Sequence, residues 1–140
     1  MKIGVIYSTI SGHSKKIAKA IAQKCSIPAY NIAENPPLNC FDLLFVVSGI
    51  YSGSSKPELL DFVKNLTPEN VKLVTLITTS MNVTKSVQIR KALSLQKVQV
   101  SEEEFTCMGG FLFAGFSHPN KSEIAEIVAF SENIIKNSQS

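Results

Sequence analysis

Two hydrophobic periodicities alternate along this chain, and the alternation restricts its architecture more than any other feature. Near-continuous apolar runs at residues 2–7 (KIGVIY), 42–48 (DLLFVVS), 71–77 (VKLVTLI) and 105–113 (FTCMGGFLF), with a weaker one at 29–33, read as strands covered on both faces. Helical spacing fills the gaps between them. Ile17, Ala18, Ile21, Ala22 and Cys25 share one side of a helix whose other side carries Lys15, Lys16, Lys19 and Lys24. Pro57 suits a first helical position, and Leu59, Phe62, Val63 and Leu66 follow it at helical spacing. Ile124, Ile127, Val128 and Ile134 mark a last helix, started by Asn120 with Glu123 in a capping-box arrangement. Residues 86–95 carry the weakest helical pattern.

The resulting order, β-α-β-β-α-β-α-β-α, predicts an α/β fold: a five-stranded parallel sheet with helices on both faces. The second and third strands are separated only by 34–41 (ENPPLNCF), short of the ~10–12 residues a crossover needs, so a single turn or an irregular loop is expected there. No linker, repeat or low-complexity segment interrupts the pattern, and the polar end 136–140 is expected to fray.

At 140 residues, 44% hydrophobic and 18% charged, the chain has the size and mixture of one globular domain, 1–140. No apolar run approaches the ~20 residues of a membrane-spanning helix, and residues 3–7 fall short of a signal-peptide core of roughly 7–15. A cytoplasmic protein without membrane insertion is expected. Cys25, Cys40 and Cys107 are odd in number and widely spaced, which fits neither a disulfide framework nor a metal pair, so reduced and mostly buried thiols are expected. The net charge of +3 is spread along the chain with no arginine-rich stripe, which argues against a nucleic-acid partner. The acidic run 102–104 reads as a solvated approach to a strand rather than a metal site.

Chemistry concentrates where the first strand meets the first helix, at residues 7–16 (YSTISGHSKK). In parallel α/β sheets, ligands bind outside the carboxyl ends of the strands, and the first strand borders that crevice. A helix N-terminus there offers unpaired N–H groups and a partial positive charge. Hydroxyls at Thr9, Ser11 and Ser14 add donors, and Gly12 lets the backbone close around an anion. A phosphate suits such a loop; the plainer alternative is that Ser11 or Ser14 only caps the helix and Gly12 only makes the turn. The commoner phosphate loops, GxxxxGK[ST] and GxGxxG, are absent.

Thr9-Ile10-Ser11-Gly12-His13-Ser14 resembles the flavodoxin fingerprint [ST]-x-[ST]-G-x-[ST], in the same place between first strand and first helix. Ser48-Gly49-Ile50-Tyr51-Ser52-Gly53, followed by 56–62 (KPELLDF), is similar to the family's second flavin loop and its helix. Phe105-Thr106-Cys107-Met108-Gly109-Gly110, with His118-Pro119 later, resembles the last strand and the approach to the final helix in short flavodoxin-like proteins. The likeness spans nearly the whole chain and implies a flavodoxin-like three-layer fold with strand order 2-1-3-4-5.

The resemblance also implies bound FMN. Thr9, Ser11, Gly12, His13 and Ser14 would surround its phosphate with hydroxyls and backbone amides, leaving Lys15 and Lys16 to solvent. His13 stands where the family often has Asn, which implies a backbone N–H contribution rather than acid–base work. Ile50, Tyr51, Ser52 and Gly53 would flank the isoalloxazine ring, Tyr51 either stacking on it or packing on the loop. In flavodoxins a peptide of this loop turns over on one-electron reduction so that its carbonyl accepts from flavin N5–H; Gly53 is the candidate. The third loop, Thr78-Thr79-Ser80-Met81-Asn82, places Thr79, Ser80 and Met81 at the flavin, Met81 standing where many flavodoxins have an aromatic ring. Cys107 is either a core thiol of the last strand or a flavin-edge contact.

The sequence departs from the family in charge. Its pI near 8.8 contrasts with strongly acidic flavodoxins and points to an acidic or neutral redox partner. Competing doubly wound folds fail at their own positions: a response regulator needs acidic residues where Tyr7-Ser8 and Ser48-Gly49 stand, and a low-molecular-weight phosphatase needs a cysteine in the first loop. The expected function is a low-potential FMN electron carrier between a reductase donor and an acceptor. Alternatives are an FMN oxidoreductase of the same fold acting on a quinone or porphyrinogen, and a flavin-free module that binds a partner or another phosphate.

Overall fold

The computed structural model describes residues 2–8, 13–34, 36, 40–51, 54–55, 57–80, 87–108 and 121–138. In chain order its elements are β1 (Ile3–Tyr7), α1 (His13–Cys25), β2 (Ala29–Asn31), a 3-10 turn (Ile32–Glu34), β3 (Leu43–Tyr51), β4 (Ser54–Ser55), α2 (Pro57–Val63), β5 (Val74–Ser80), α3 (Val87–Leu95), β6 (Phe105–Met108) and α4 (Lys121–Ser138). The strands form one sheet in the order β2-β1-β3-β5-β6, all parallel, with the two-residue β4 antiparallel to β3. The α/β class with a parallel sheet therefore holds. The sheet has six strands rather than five because the chain doubles back on β3, pairing Tyr51 with Ser54 and Ile50 with Ser55.

Strand β3 explains why its sequence shows no alternation. Leu43, Leu44, Phe45, Val46 and Val47 are all fully buried. Successive side chains leave a strand on opposite faces, so Leu44 and Val46 meet Leu59, Val63, Ile89 and Leu93 of the α2/α3 layer. Leu43, Phe45 and Val47 meet Ile17, Ile21, Ile127 and Ile134 of the α1/α4 layer.

Several strand boundaries differ from expectation. Strand β5 starts three residues later than the apolar run, because Val71 bridges Phe41 ahead of β3 while Phe41 N–H donates to the Asn70 carbonyl at 2.7 Å. It then continues through Thr78, Thr79 and Ser80, expected as loop, because these pair with Ser48, Gly49 and Ile50. Strand β3 likewise runs on to Tyr51. Threonine favours strands, and a paired neighbour extends the ladder beyond the apolar residues. Strand β2 ends at Asn31, two residues short of the end of the weak apolar run 29–33, where the 3-10 turn Ile32–Glu34 begins the connection to β3.

The end expected to fray is helical to Ser138, whose Oγ donates to the Ile134 carbonyl at 2.8 Å. Helices α1 and α3 finish alike without glycine. Ser26 and Lys97 adopt left-handed φ values of 56° and 62°. The next residues close the ends, Ile27 N–H donating to the Ala22 carbonyl at 3.0 Å and Val98 N–H to the Leu93 carbonyl at 3.0 Å. The cysteines also differ from expectation: Cys40 is exposed and Cys25 only half-buried, both as free thiols. Among the described residues no helix is long and apolar enough to cross a membrane.

Candidate functional site

The parallel ladder brings the candidate residues to one edge of the molecule, the carboxyl ends of β1, β3 and β5. Tyr7, the last residue of β1, is level with Val47, and Val47 with Ile77; β3 and β5 then run on past that level to Tyr51 and Ser80. Ser8 continues β1 by one residue, donating its N–H to the Val47 carbonyl at 3.2 Å. Ile50 and Ser80 are paired across β3 and β5, which sets Tyr51 beyond them. Two of the expected cofactor-facing segments are therefore neighbours in the sheet.

The first segment is described on both its flanks. His13 is the first residue of α1 and Ser14 the second; Ser14 is fully buried and Ser8 is 3% exposed. Neither Ser8 Oγ nor Ser14 Oγ has a hydrogen-bond partner among the described residues. Burying a hydroxyl without a partner costs on the order of 1–3 kcal/mol, which an acceptor such as a phosphate oxygen would recover. The first turns of α1 and α3 contain no acidic residue, whereas Glu58 and Glu123 occupy those of α2 and α4. The positive end of the α1 dipole is thus left uncompensated by its own side chains. These observations fit a phosphate-bearing group.

Of the other expected site residues, Ile50 and Tyr51 end β3, and Thr79 and Ser80 end β5. Thr9, Ser11, Gly12, Ser52, Gly53 and Met81 lie outside the described residues. The same holds for His118, Pro119 and the capping candidate Asn120, while Cys107 lies in β6.

Sequence reading missed the burial of two polar residues, Ser8 and Glu104. Ser8 was legible only as one more small residue after a strand, since its burial depends on β3 lying alongside. Glu104 was grouped with Glu102 and Glu103 as a solvated run, but the Glu104 side chain is fully buried. Its Oε1 accepts from Arg90 Nε at 3.0 Å and its Oε2 from Thr78 Oγ1 at 3.2 Å. No local pattern separates it from its two exposed neighbours.

The groups with shifted acidity lie elsewhere. Asp42, ahead of β3, has its pKa lowered first by the Lys2 N–H, which donates to Oδ2 at 2.6 Å, and then by Lys72, whose Nζ is 3.2 Å from Oδ1. Burial, reinforced by Glu132, raises the Cys25 thiol at the far end of α1. An open groove of about 410 Å³ beside α3, lined by Arg90, Ser94, Lys97, Val98, Gln99 and Val100, extends toward the amino end of β5, where Val100 bridges Val74. The carboxyl ends of the strands have the stronger chemical claim, because the buried, unpartnered hydroxyl of Ser8 directly follows β1 and that of Ser14 lies in the first turn of α1.

Comparison with known proteins places the chain by family and by fold. The flavodoxin domain family matches residues 4–133. An uncharacterized protein of Methanocaldococcus jannaschii is 29% identical over 151 residues, covering 98% of this chain and 100% of that protein. Among solved structures, a flavodoxin from the domain Archaea superposes with a TM-score of 0.77 at 13% identity, covering 100% of both chains. Oxidised Flavodoxin 2 from Bacillus cereus superposes with a TM-score of 0.74 at 14% identity, covering 98% of this chain and 99% of its own. At such identities the structural likeness speaks for the fold alone.

Proposed function

The chain belongs to the flavodoxin domain family, and from that membership we propose that it is an FMN-binding electron carrier of the cytoplasm, working between redox protein partners. The observation that carries the reading is the pair of buried, unpartnered hydroxyls, Ser8 and Ser14, on either side of segment 9–12 at the start of α1.

In this reading Ser8 Oγ and Ser14 Oγ donate to phosphate oxygens, and the first N–H groups of α1, beginning at His13, face the same anion. Thr9, Ser11 and Gly12 complete the loop. Ile50, Tyr51, Ser52 and Gly53 hold one side of the ring system and Thr79, Ser80 and Met81 the other. When bound, FMN supplies the redox chemistry, and the protein's part is to bind, orient and tune it. Lys15 and Lys16 are exposed in the first turn of α1 and Lys19 and Lys24 farther along it, giving that helix a basic face suited to an acidic or neutral partner.

FMN added to the flavin-free protein tests the proposal. Binding is expected to quench or shift flavin fluorescence and to raise stability by ~4 kcal/mol at about a thousand times the dissociation constant. Gly12→Val, which adds bulk where the backbone must approach the phosphate, is expected to abolish the response. Absence of any response from the parent protein at high FMN would overturn the proposal.

A further inference from the structure

We infer that Glu104 is a positioning residue that fixes the end of β5, with Thr79 and Ser80, against the first turn of α3. The inference rests on the FMN reading for its function and on geometry for its existence. The two oxygens of the carboxylate are used separately: Oε2 accepts from Thr78 Oγ1 at 3.2 Å and Oε1 from Arg90 Nε at 3.0 Å. Thr78 and Arg90 stand on opposite sides of segment 81–86 in the chain, so one buried side chain joins the two elements that segment connects. Glu104 itself directly precedes Phe105, the first residue of β6.

The place needs such a tie. Strand β6 ends the sheet order and pairs with β5 over four residues, from Phe105 opposite Ile77 to Met108 opposite Ser80. Thr79 and Ser80 are thus held by β3 on one side and by a short terminal strand on the other. Apolar side chains of similar volume often stabilise a fold as well as a buried ion pair does. What a carboxylate bonded through both oxygens adds is a fixed distance and angle between its two partners. Arg90 is held for that bond at some cost, since its Nη2 is buried with no partner among the described residues.

The test compares the parent with two variants. Thr78→Val removes one bond and keeps the ion pair; the double variant Arg90→Met with Glu104→Gln removes both charges, so that no lone charge is left buried. Three quantities are read: amide exchange at Thr79 and Ser80 by NMR, the FMN dissociation constant, and the visible circular dichroism of the bound flavin at saturation. In the double variant, exchange at Thr79 and Ser80 is expected to accelerate about tenfold with Val46 and Val47 unchanged, and FMN to bind about tenfold more weakly with an altered flavin dichroism. Thr78→Val is expected to move the same quantities less.

A lower melting temperature with unchanged exchange, affinity and dichroism would make Glu104 merely structural and overturn the inference. Should the parent bind no FMN, the proposed function falls, and exchange at Thr79 and Ser80 alone decides whether the tie exists: unchanged exchange overturns it, acceleration confined to those amides upholds it.

Discussion

The two ends of the sheet are built on different terms. At the amino end, the chain straps itself shut: Asp42 N–H donates to the Lys2 carbonyl at 2.7 Å, Lys72 N–H to the Phe41 carbonyl at 3.0 Å and Val74 N–H to the Gln99 carbonyl at 2.9 Å. Phe41, 3% exposed, lies against Gly4 with Lys2 Nζ 5.2 Å from its ring centre. At the carboxyl end, Ser8 and Ser14 are buried with unpartnered hydroxyls, and Arg90 keeps a buried, unpartnered Nη2. One end is closed by its own backbone, and the other holds buried polar groups with no hydrogen-bond partner among the described residues. The contrast sets backbone ties that hold the fold against the Ser8 and Ser14 hydroxyls, which in the proposed function meet a ligand.

The sharpest way to break this contrast is at its closed end. An ideal Cβ on Gly4 would lie 2.7 Å from Phe41 Cε1. Gly4→Ala must displace a packed ring and is expected to cost about 1–3 kcal/mol in denaturant unfolding of the FMN-free protein, with FMN affinity of the folded fraction unchanged. At the open end the signs reverse. Ser14→Ala is expected to leave FMN-free stability equal or higher, because it deletes an unsatisfied hydroxyl, while weakening FMN binding about tenfold. A loss of stability without a loss of affinity would erase the distinction between the ends.

Smaller effects sharpen it. Ser26→Gly and Lys97→Gly relieve left-handed backbone at the ends of α1 and α3 and are each expected to add about 1 kcal/mol of stability without changing FMN binding. Thr75 is the exception to the pattern, a fully buried hydroxyl without a partner near the start of β5. Thr75→Val should stabilise by roughly 0.5 kcal/mol and leave FMN affinity untouched, which would mark it as a tolerated defect rather than a ligand group.

The smallest effect is in acid. The pKa of Asp42 is lowered in the folded chain, so its contribution is present above the unfolded carboxylate range near ~3.9 and is lost as pH falls through the lower folded value. Asp42→Asn should flatten stability against pH there and nowhere else, as read by thermal unfolding across the acid range.

Much of this was legible from residues alone, and the reasons are local. Continuous apolar runs such as LLFVV meant a strand covered on both faces, Pro57 marked the first residue of α2, and the lysine-backed stripe Ile17, Ala18, Ile21 faced the core as a stripe of that width must. Thr78, Thr79 and Ser80 misled because hydroxyl residues after an apolar run look like loop; their strand state depends on β3 being alongside. Cys40 misled because a thiol usually is buried, whereas Cys40, one residue ahead of the Phe41 bridge, is exposed.

By itself, then, the sequence determined the order and type of the main strands and helices and the position of a hydroxyl-rich segment ahead of α1, since periodicity and composition act between near neighbours in the chain. The tertiary structure decided the rest. It selected Glu104 over Glu102 and Glu103 for burial between Thr78 and Arg90, and it left Ser8 and Ser14 without partners at one shared edge. Burial and partnership are set by what lies across space from a residue, and residues 26 and 14 positions apart meet only once the sheet and its helices have assembled.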